Sequence, residues 1–573
     1  MIKRILSILL CLVLMLSILT ACSKEQAMDV LDSVVEGADS LTRGIKDKMN
    51  AEENEALAQV RQQADARRRD ILESPDEIVE SDTFIKGETY TGTAYYVSNN
   101  GSDSNSGRSP ESAFATLAPF EYVSLYPGDA VFFERGSVWR AMEMPWPMIE
   151  TEGLTFSAYG EGAKPCFYGS PENGSGADKW ELYYSDAEGK KVWKYYQDMT
   201  EIGSVVLNGT DIVRRDLPWW DGSVYQEMDE VHFDIKNEVY DVTLHLPDMW
   251  CFPAHDYTQP MDWDDSSSVY EGWNDYGMVY RTAPLYFRCD AGNPGELYEQ
   301  IEFIAPVTLC PDAGKEHVFD NLCIMYSQRG ISAQGEMSGL LVQNCEFGWI
   351  GGLVYDYLDT GTREEQIKYS VCPSLRSGAA LEVNTNDVQL RNNYIHHAFT
   401  SGIVSRIHEG ENGIENMLLC GNLIERCSKA VVFSNEYDSS QAELIFRNIL
   451  VEDNIVLESG EDNFTGSVRE ASHNSMAFQM EGPLCANENF VVRNNVFALS
   501  KGMLIALYHF SEEYSRIFDG NTYIHNEGDN PIFQAHGLWI MDAESDLYHM
   551  KMEKETVEYY MGDMNAQCHI IKY

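Results

Sequence analysis

The sequence predicts an all-β chain built as a solenoid of short stacked coils, with a helical N-terminal stalk and an inserted β-rich subdomain. Three observations carry that prediction. In the C-terminal half, an Asn followed by apolar residues recurs at Asn321, Asn344, Asn393, Asn422, Asn454, Asn495 and Asn521, with gaps of 23, 49, 29, 32, 41 and 26 residues. After each comes a turn residue, usually Gly, and a second short apolar strand, as in residues 377–406 (SGAALEVNTNDVQLRNNYIHHAFTSGIVSR). Such a unit is too short to bury its own apolar side chains and must stack on its copies. Finally, the helical period of Val30, Leu31, Val34 and Val35, and of Leu57, Val60 and Ala64, gives way from Thr93 to strands and dense turns.

Taken in order, Lys3 and Arg4 precede an apolar run from Ile5 to Leu19, followed by Thr20-Ala21-Cys22. Charge, length and the small-residue end mark residues 1–22 as an export signal. Residues 23–83 are polar and poor in Gly and Pro, and read as a helical or partly disordered stalk. Residues 84–175 supply the first coils. Residues 176–305 break the rhythm and hold seven of the eleven tryptophans (Trp180, Trp193, Trp219, Trp220, Trp250, Trp263 and Trp273), which reads as the inserted subdomain. Its aromatics suit sugar stacking, although core packing accounts for any single one of them. Residues 306–530 carry the repeats. Residues 531–573, with a helix-like segment over 550–561, read as a cap for the open end of the stack.

The segments YYVSNNGSDSNSGRSPESAFATL, LYPGDAVFFERGSVW and LTFSAYGEGAKP resemble the opening coils of right-handed parallel β-helix proteins that act on carbohydrates. That pectate-lyase-like superfamily includes polysaccharide lyases and several glycoside hydrolase families. Together with the repeats, the resemblance covers residues 90–175 and 306–526. It implies the fold and leaves the reaction open. The N-terminus resembles a bacterial lipoprotein signal, which implies lipidation of Cys22 and membrane anchoring on the extracytoplasmic face; two or more acyl chains anchor stably where one does not.

Composition narrows the function. A net charge of −50, from 41 basic and 91 acidic residues, excludes a nucleic-acid binder that relies on bulk electrostatics. It also disfavours polyanionic substrates. The thirteen cysteines show no CxxC and no ligand spacing, so no metal site is expected. Export permits disulfides, yet Cys323, Cys345 and Cys420 lie inside apolar strand patterns and read as small buried hydrophobes.

The Asn column is read as structural, an amide ladder at an internal turn. Chemistry is expected instead at one edge of the second strands, where Gln334, Asp356, Glu382, Arg406, Asn435 (or Glu436), Glu481 and His509 form a polar column. Glycoside hydrolysis needs two carboxyl groups. Neighbouring coils sit ~4.8 Å apart, close to the ~5–5.5 Å separation of retaining enzymes. Asp356 and Glu382 are therefore expected on consecutive coils, with Glu382 in an apolar run as the acid and Asp356 as nucleophile or base. Arg406 would hold a carboxylate or hydroxyl, and Gln334, Asn435, Glu481 and His509 would bind substrate. His396, His397 and His408 are expected as polar loop-side residues, and residues 356–375 as a lid or groove wall.

Three functions fit these residues. The leading one is a surface glycoside hydrolase without cofactor. The second is a polysaccharide lyase, with Asp356 and Glu382 holding Ca²⁺ and Arg406 near the uronate. The third is a glycan-binding protein without catalysis.

Overall fold

The computed structural model describes residues 55–73, 90–195, 202–215, 249–251, 285–313, 315–352, 354–356, 374–375, 378–407, 413–435, 446–461, 475–481, 487–510, 516–526, 538–542 and 547–571. The molecule is a parallel β-helix with three faces. Sheet I runs from Ala94–Val97 to Arg516–Asp519, sheet II from Val138–Arg140 to Gln567–Ile571, and sheet III from Ala305–Cys310 to Leu538–Asp542. From Thr155–Tyr159 to Leu538–Asp542 each coil visits the three in that order; the coils before it have no sheet III strand. Ser327–Gln343 and Ala379–Arg391 are long because in each a sheet III strand continues, through an irregularity in register, into the sheet I strand of the next coil. Strands within the three faces pair in parallel, until Leu547–Met550 turns back antiparallel on Leu538–Asp542.

Alternation of side chains across each strand decides what lies inside. Sheet II sends Phe167, Ile324, Phe347, Ile395, Ile424 and Val456 inward, all buried in one continuous core with Ile331, Leu381, Ile403 and Val431 of sheet III. No coil could bury these groups alone, which is why the repeat is cooperative.

The corner from sheet I to sheet II explains the Asn repeat and corrects part of it. Asn393, Asn422, Asn454 and Asn495 each donate from Nδ2 to Oδ1 of the next Asn, at 2.9–3.0 Å. Their second N–H reaches a sheet I carbonyl, and their backbone N–H also donates to the next Oδ1. The last of the series, Asn521, donates to the carboxylate of Asp563 at 2.9 Å. Asn321 and Asn344, expected in the same column, stand one residue earlier. They occupy the left-handed turn position at φ 62° and 52°, aligned with Asn392, Gly421, Asp453, Asn494 and Gly520. At the ladder position itself these two coils carry Leu322 and Cys345, both buried. Asn is favoured at both places for different reasons: amide stacking in one, tolerance of positive φ in the other.

The inserted subdomain builds a seven-stranded sheet in the order Ile301–Phe303, Val205–Leu207, Asp211–Arg215, Met249–Cys251, Leu285–Arg288, Lys191–Tyr195, Trp180–Ser185. Trp180 sits in its core with Tyr195, Phe287 and Phe303, and its indole N–H donates to the Gly174 carbonyl at 2.9 Å; Trp193 packs at the edge of the same cluster. Trp219, Trp220, Trp263 and Trp273 lie outside the described residues, as does the side chain of Trp250. A buried ion pair joins insertion to β-helix: Glu302, with no exposed surface, accepts both Arg140 guanidinium arms at 2.7 and 2.8 Å. The stalk is helical over residues 55–73, and from Val60 onward it lies along the solenoid. Val60, Ala64 and Ile71 are buried, Arg68 grips Glu425 of sheet II in a fork at 2.6–3.1 Å, Arg61 pairs with Glu458, and Arg67 reaches the Asp453 carbonyl.

Two stability measurements check these assignments. Asn454→Ala leaves buried N–H groups of Asn422 without an acceptor and should lower unfolding free energy by about 3 kcal/mol. Asn448→Gly, in an exposed position whose φ of 54° glycine adopts freely, should cost less than about 0.5 kcal/mol; urea midpoints at unchanged slope read both. Arg140→Ala strands the Glu302 carboxylate and should cost about 3–5 kcal/mol.

Candidate functional site

The outer surface of sheet III brings together part of the expected polar column. Gln334 pairs in register with Asn384, and Arg406 with Ser434 and then Glu481. The Arg406 backbone N–H donates to the Asn384 side chain at 2.7 Å, closing the row Gln334–Asn384–Arg406–Ser434–Glu481. Glu382 lies two residues before Asn384, on the same face and in the row of Ser332, Val404, Val432 and Gln479. Glu382 and Arg406 therefore share a face as diagonal neighbours, ~7–8 Å apart at Cα.

Glu382 is 7% exposed and its Oε2 stands 3.2 Å from Nε of Arg329, on the preceding coil. The apolar sequence around Glu382 leads to the expectation of an acid; the side chain is buried as that sequence implies, with a cationic partner from another coil that the sequence does not show. Beside it, Gln334 donates to Ser332 Oγ at 3.1 Å.

Three expected members of the column fall elsewhere. Asp356 is not on a coil: Val354–Asp356 pairs antiparallel with Ser374–Leu375 in a separate two-stranded ribbon. The ladder neighbours of Glu382 are Ser332 and Val404, so the expected adjacency of Asp356 and Glu382 on consecutive coils does not hold. The ribbon does emerge within the same coil as Glu382, between Glu346–Ile350 and Ala379–Arg391; the Asp356 side chain lies outside the described residues. Asn435 pairs with Ile407, a core residue, and so faces opposite to Arg406. His509 follows by two the partner of Met480, Leu507, which puts it one position past the row of Glu481. A one-residue slip reverses a side chain's face. The side chains of Glu481 and His509 are outside the described residues.

Asn384, Ser434, Gln479 and Arg329 were not anticipated. Asn384 was readable as the residue two after Glu382, on the same face by strand period. Arg329 and Gln479 were hidden because neither ends its apolar run. Among the described residues no three His, Cys, Asp or Glu side chains form a group able to hold a metal ion.

His396 and His397 belong to sheet II and are buried, not loop-side. Their Nδ1 atoms meet at 2.7 Å, the Trp349 ring stacks on His397 at 3.9 Å, Tyr394 stacks on His396 at 4.6 Å, and Glu346 lies 3.5 Å from His396 Nε2. Burial, then the neighbouring His396 and Arg426, hold His397 well below the ordinary histidine value. His408 is outside the described residues.

A groove of about 580 Å³ crosses the outer face of sheet I. Its floor includes Leu418 and Leu450, and one wall is an exposed amide ladder in which Asn489 donates to Asn448, Asn448 to Asn416, and Asn416 to Asp387. Its one carboxylate, Asp387, has no carboxyl partner in the lining. This groove lacks the pair that hydrolysis needs.

No family model matches the sequence, and no curated protein matches it. Among solved structures, the chain is similar to XylC in complex with xylose (13% identity over 76% of this chain and 69% of that one, TM-score 0.36). It is also similar to the GH136 lacto-N-biosidase from Eubacterium ramulus (14% identity over 87% of this chain and 66% of that one, TM-score 0.35) and to a glycoside hydrolase (11% identity, 76% and 86%, TM-score 0.29). At these scores the likeness assigns no activity to this chain.

The buried histidines predict a pH dependence. His317 is also held low, chiefly by burial. Both stay neutral in the folded state while the unfolded chain takes up protons below about pH 6.5, so stability falls as pH drops through that value. Each contributes a slope of up to about 1.4 kcal/mol per pH unit. His397→Asn, which tolerates the φ of 51° at that position, should remove its share of the slope between about pH 6.5 and 5 in urea titrations.

Proposed function

We propose that the protein is a lipid-anchored, extracytoplasmic glycoside hydrolase whose substrate lies along the outer face of sheet III. The observation that carries this reading is the register row Gln334–Asn384–Arg406–Ser434–Glu481 beside the Arg329–Glu382 pair. Amides, a hydroxyl and charged groups repeat there at the coil spacing, ~4.8 Å, offering an extended polyhydroxylated chain a donor or acceptor at every step. Glu382 is the base or nucleophile, oriented by Arg329. Asp356, on the ribbon of the same coil, is the proton donor. Glu481, three strands from Glu382 and roughly 14 Å away, is too distant to complete a pair that works at ~5–9.5 Å, and binds substrate instead. Lipidation of Cys22 anchors the chain.

A neutral glycan fits better than a uronate polymer. Elimination needs a surplus of positive charge at the uronate carboxylate, yet Arg329 is already paired with Glu382 and the chain carries a net charge of −50.

The test is a screen of the purified chain on neutral and uronate-containing oligosaccharides, scoring reducing ends and ultraviolet absorbance of unsaturated products. Reducing ends without that absorbance are expected. Glu382→Gln should lower turnover by about 10²-fold or more, while Asn435→Ala, on the opposite face, leaves it unchanged. Full activity in Glu382→Gln would sink the site, absorbing products would make the protein a lyase, and glycan retention without products would make it a binding protein.

A further inference from the structure

Cys166 and Cys323 stand directly opposite each other on neighbouring parallel strands of sheet II, paired in register together with Phe167–Ile324 and Tyr168–Met325. Register partners point to the same side of a sheet, and their Cα atoms stand near the strand spacing of ~4.8 Å. That lies within the 4.4–6.8 Å range that a disulfide spans. Phe167 and Ile324 fill the core, so the two thiols are on the outer side. Cys323 is 3% exposed, while Cys166 is half-buried and reachable from solvent.

We propose that Cys166 and Cys323 form a redox-active dithiol that closes to a disulfide, a modification site that clasps the coil before the inserted subdomain to the coil after it. All of residues 169–304 lie between these two strands. The clasp therefore spans a place where the stack has to re-form after a long excursion of the chain.

The two thiols are not equivalent. The Cys323 thiol, which hydrogen-bonds toward Cys166, draws the Cys166 value below that of an ordinary thiol; burial opposes this, and Lys164 assists. The same contact and burial push Cys323 well up. A half-exposed thiol favouring its thiolate beside a buried thiol favouring its proton is an attacking and resolving arrangement. Glu346, next in the same row as the register partner of Cys323, supplies a carboxylate to take the Cys323 proton, and His396 lies 3.5 Å beyond it.

The chemistry needs an oxidant, a small-molecule disulfide or the disulfide of an oxidoreductase. The Cys166 thiolate attacks one sulfur of it, forming a mixed disulfide and releasing the other half as a thiolate. Cys323 then gives its proton to Glu346, attacks the Cys166 sulfur and expels the second half. The protein loses two electrons and two protons, and the oxidant leaves as two thiols.

The experiment uses the full chain incubated with oxidised glutathione or with dithiothreitol, then alkylated and digested without reduction for peptide mass spectrometry. The expected result is a linked peptide containing Cys166 and Cys323, lighter by two hydrogens than the sum of its parts, only in the oxidised sample. Cys323→Ser should trap glutathione on Cys166, and Cys166→Ser should leave Cys323 unmodified, because the buried thiol is not reached first. Equal alkylation of Cys166 in both samples, a link from either residue to another cysteine, or no glutathione on Cys166 in Cys323→Ser would each overturn the proposal.

Discussion

The coils are held in register by an amide hydrogen-bond series whose direction never reverses. From Asn393 to Asn521 each side chain accepts from the coil before it and donates to the coil after it, inside a corner that water does not enter. Burying so many amides is tolerable only because every N–H and C=O in the series has a partner. That requirement pins each coil to its neighbour at a single register, and register fixes which residues face outward on sheet III. The Gln334–Glu481 row and its offset from Glu382 are downstream of the corner.

Much of the fold was legible in the sequence, because the Asn repeat and the apolar pairs follow from stacking itself. The limits appear at single residues. Asn321 and Asn344 look like members of the ladder, yet they satisfy a left-handed turn one step earlier; residue type alone cannot separate the two demands. In those coils Leu322 and Cys345 fill the ladder position with apolar bulk, which breaks the pattern a reader would follow.

The candidate site was legible only where a strand's period could be counted without interruption. Glu382, Arg406 and Gln334 do share a face, because strand period can be counted through the apolar residues around each, and Glu481 stands in backbone register with the row of Arg406. Asn435 and His509 slipped by one. Asp356 failed for another reason: a tyrosine-flanked β-strand in an excursion from the coil has the same local composition as a coil strand, and only its antiparallel partner at Ser374–Leu375 reveals it. The ion pair of Glu382 was also hidden, since its partner Arg329 is more than fifty positions away in sequence.

Both amide ladders end on a carboxylate. The buried one terminates at Asp563, which accepts from Asn521, from the backbone of Gly520 and Asn521, and from the Tyr523 hydroxyl. The exposed one runs the opposite way and terminates at Asp387. An amide always passes on a hydrogen it must place somewhere, so a chain of amides has no natural last member; a group that only receives is required to close it. Asp563 is thus punctuation. A coil can be duplicated within the series without penalty at this corner, but none can be appended after Asp563. Asp563 also follows every Asn of the series in the chain, so during synthesis the inner corner stays open until all the coils it closes have been made.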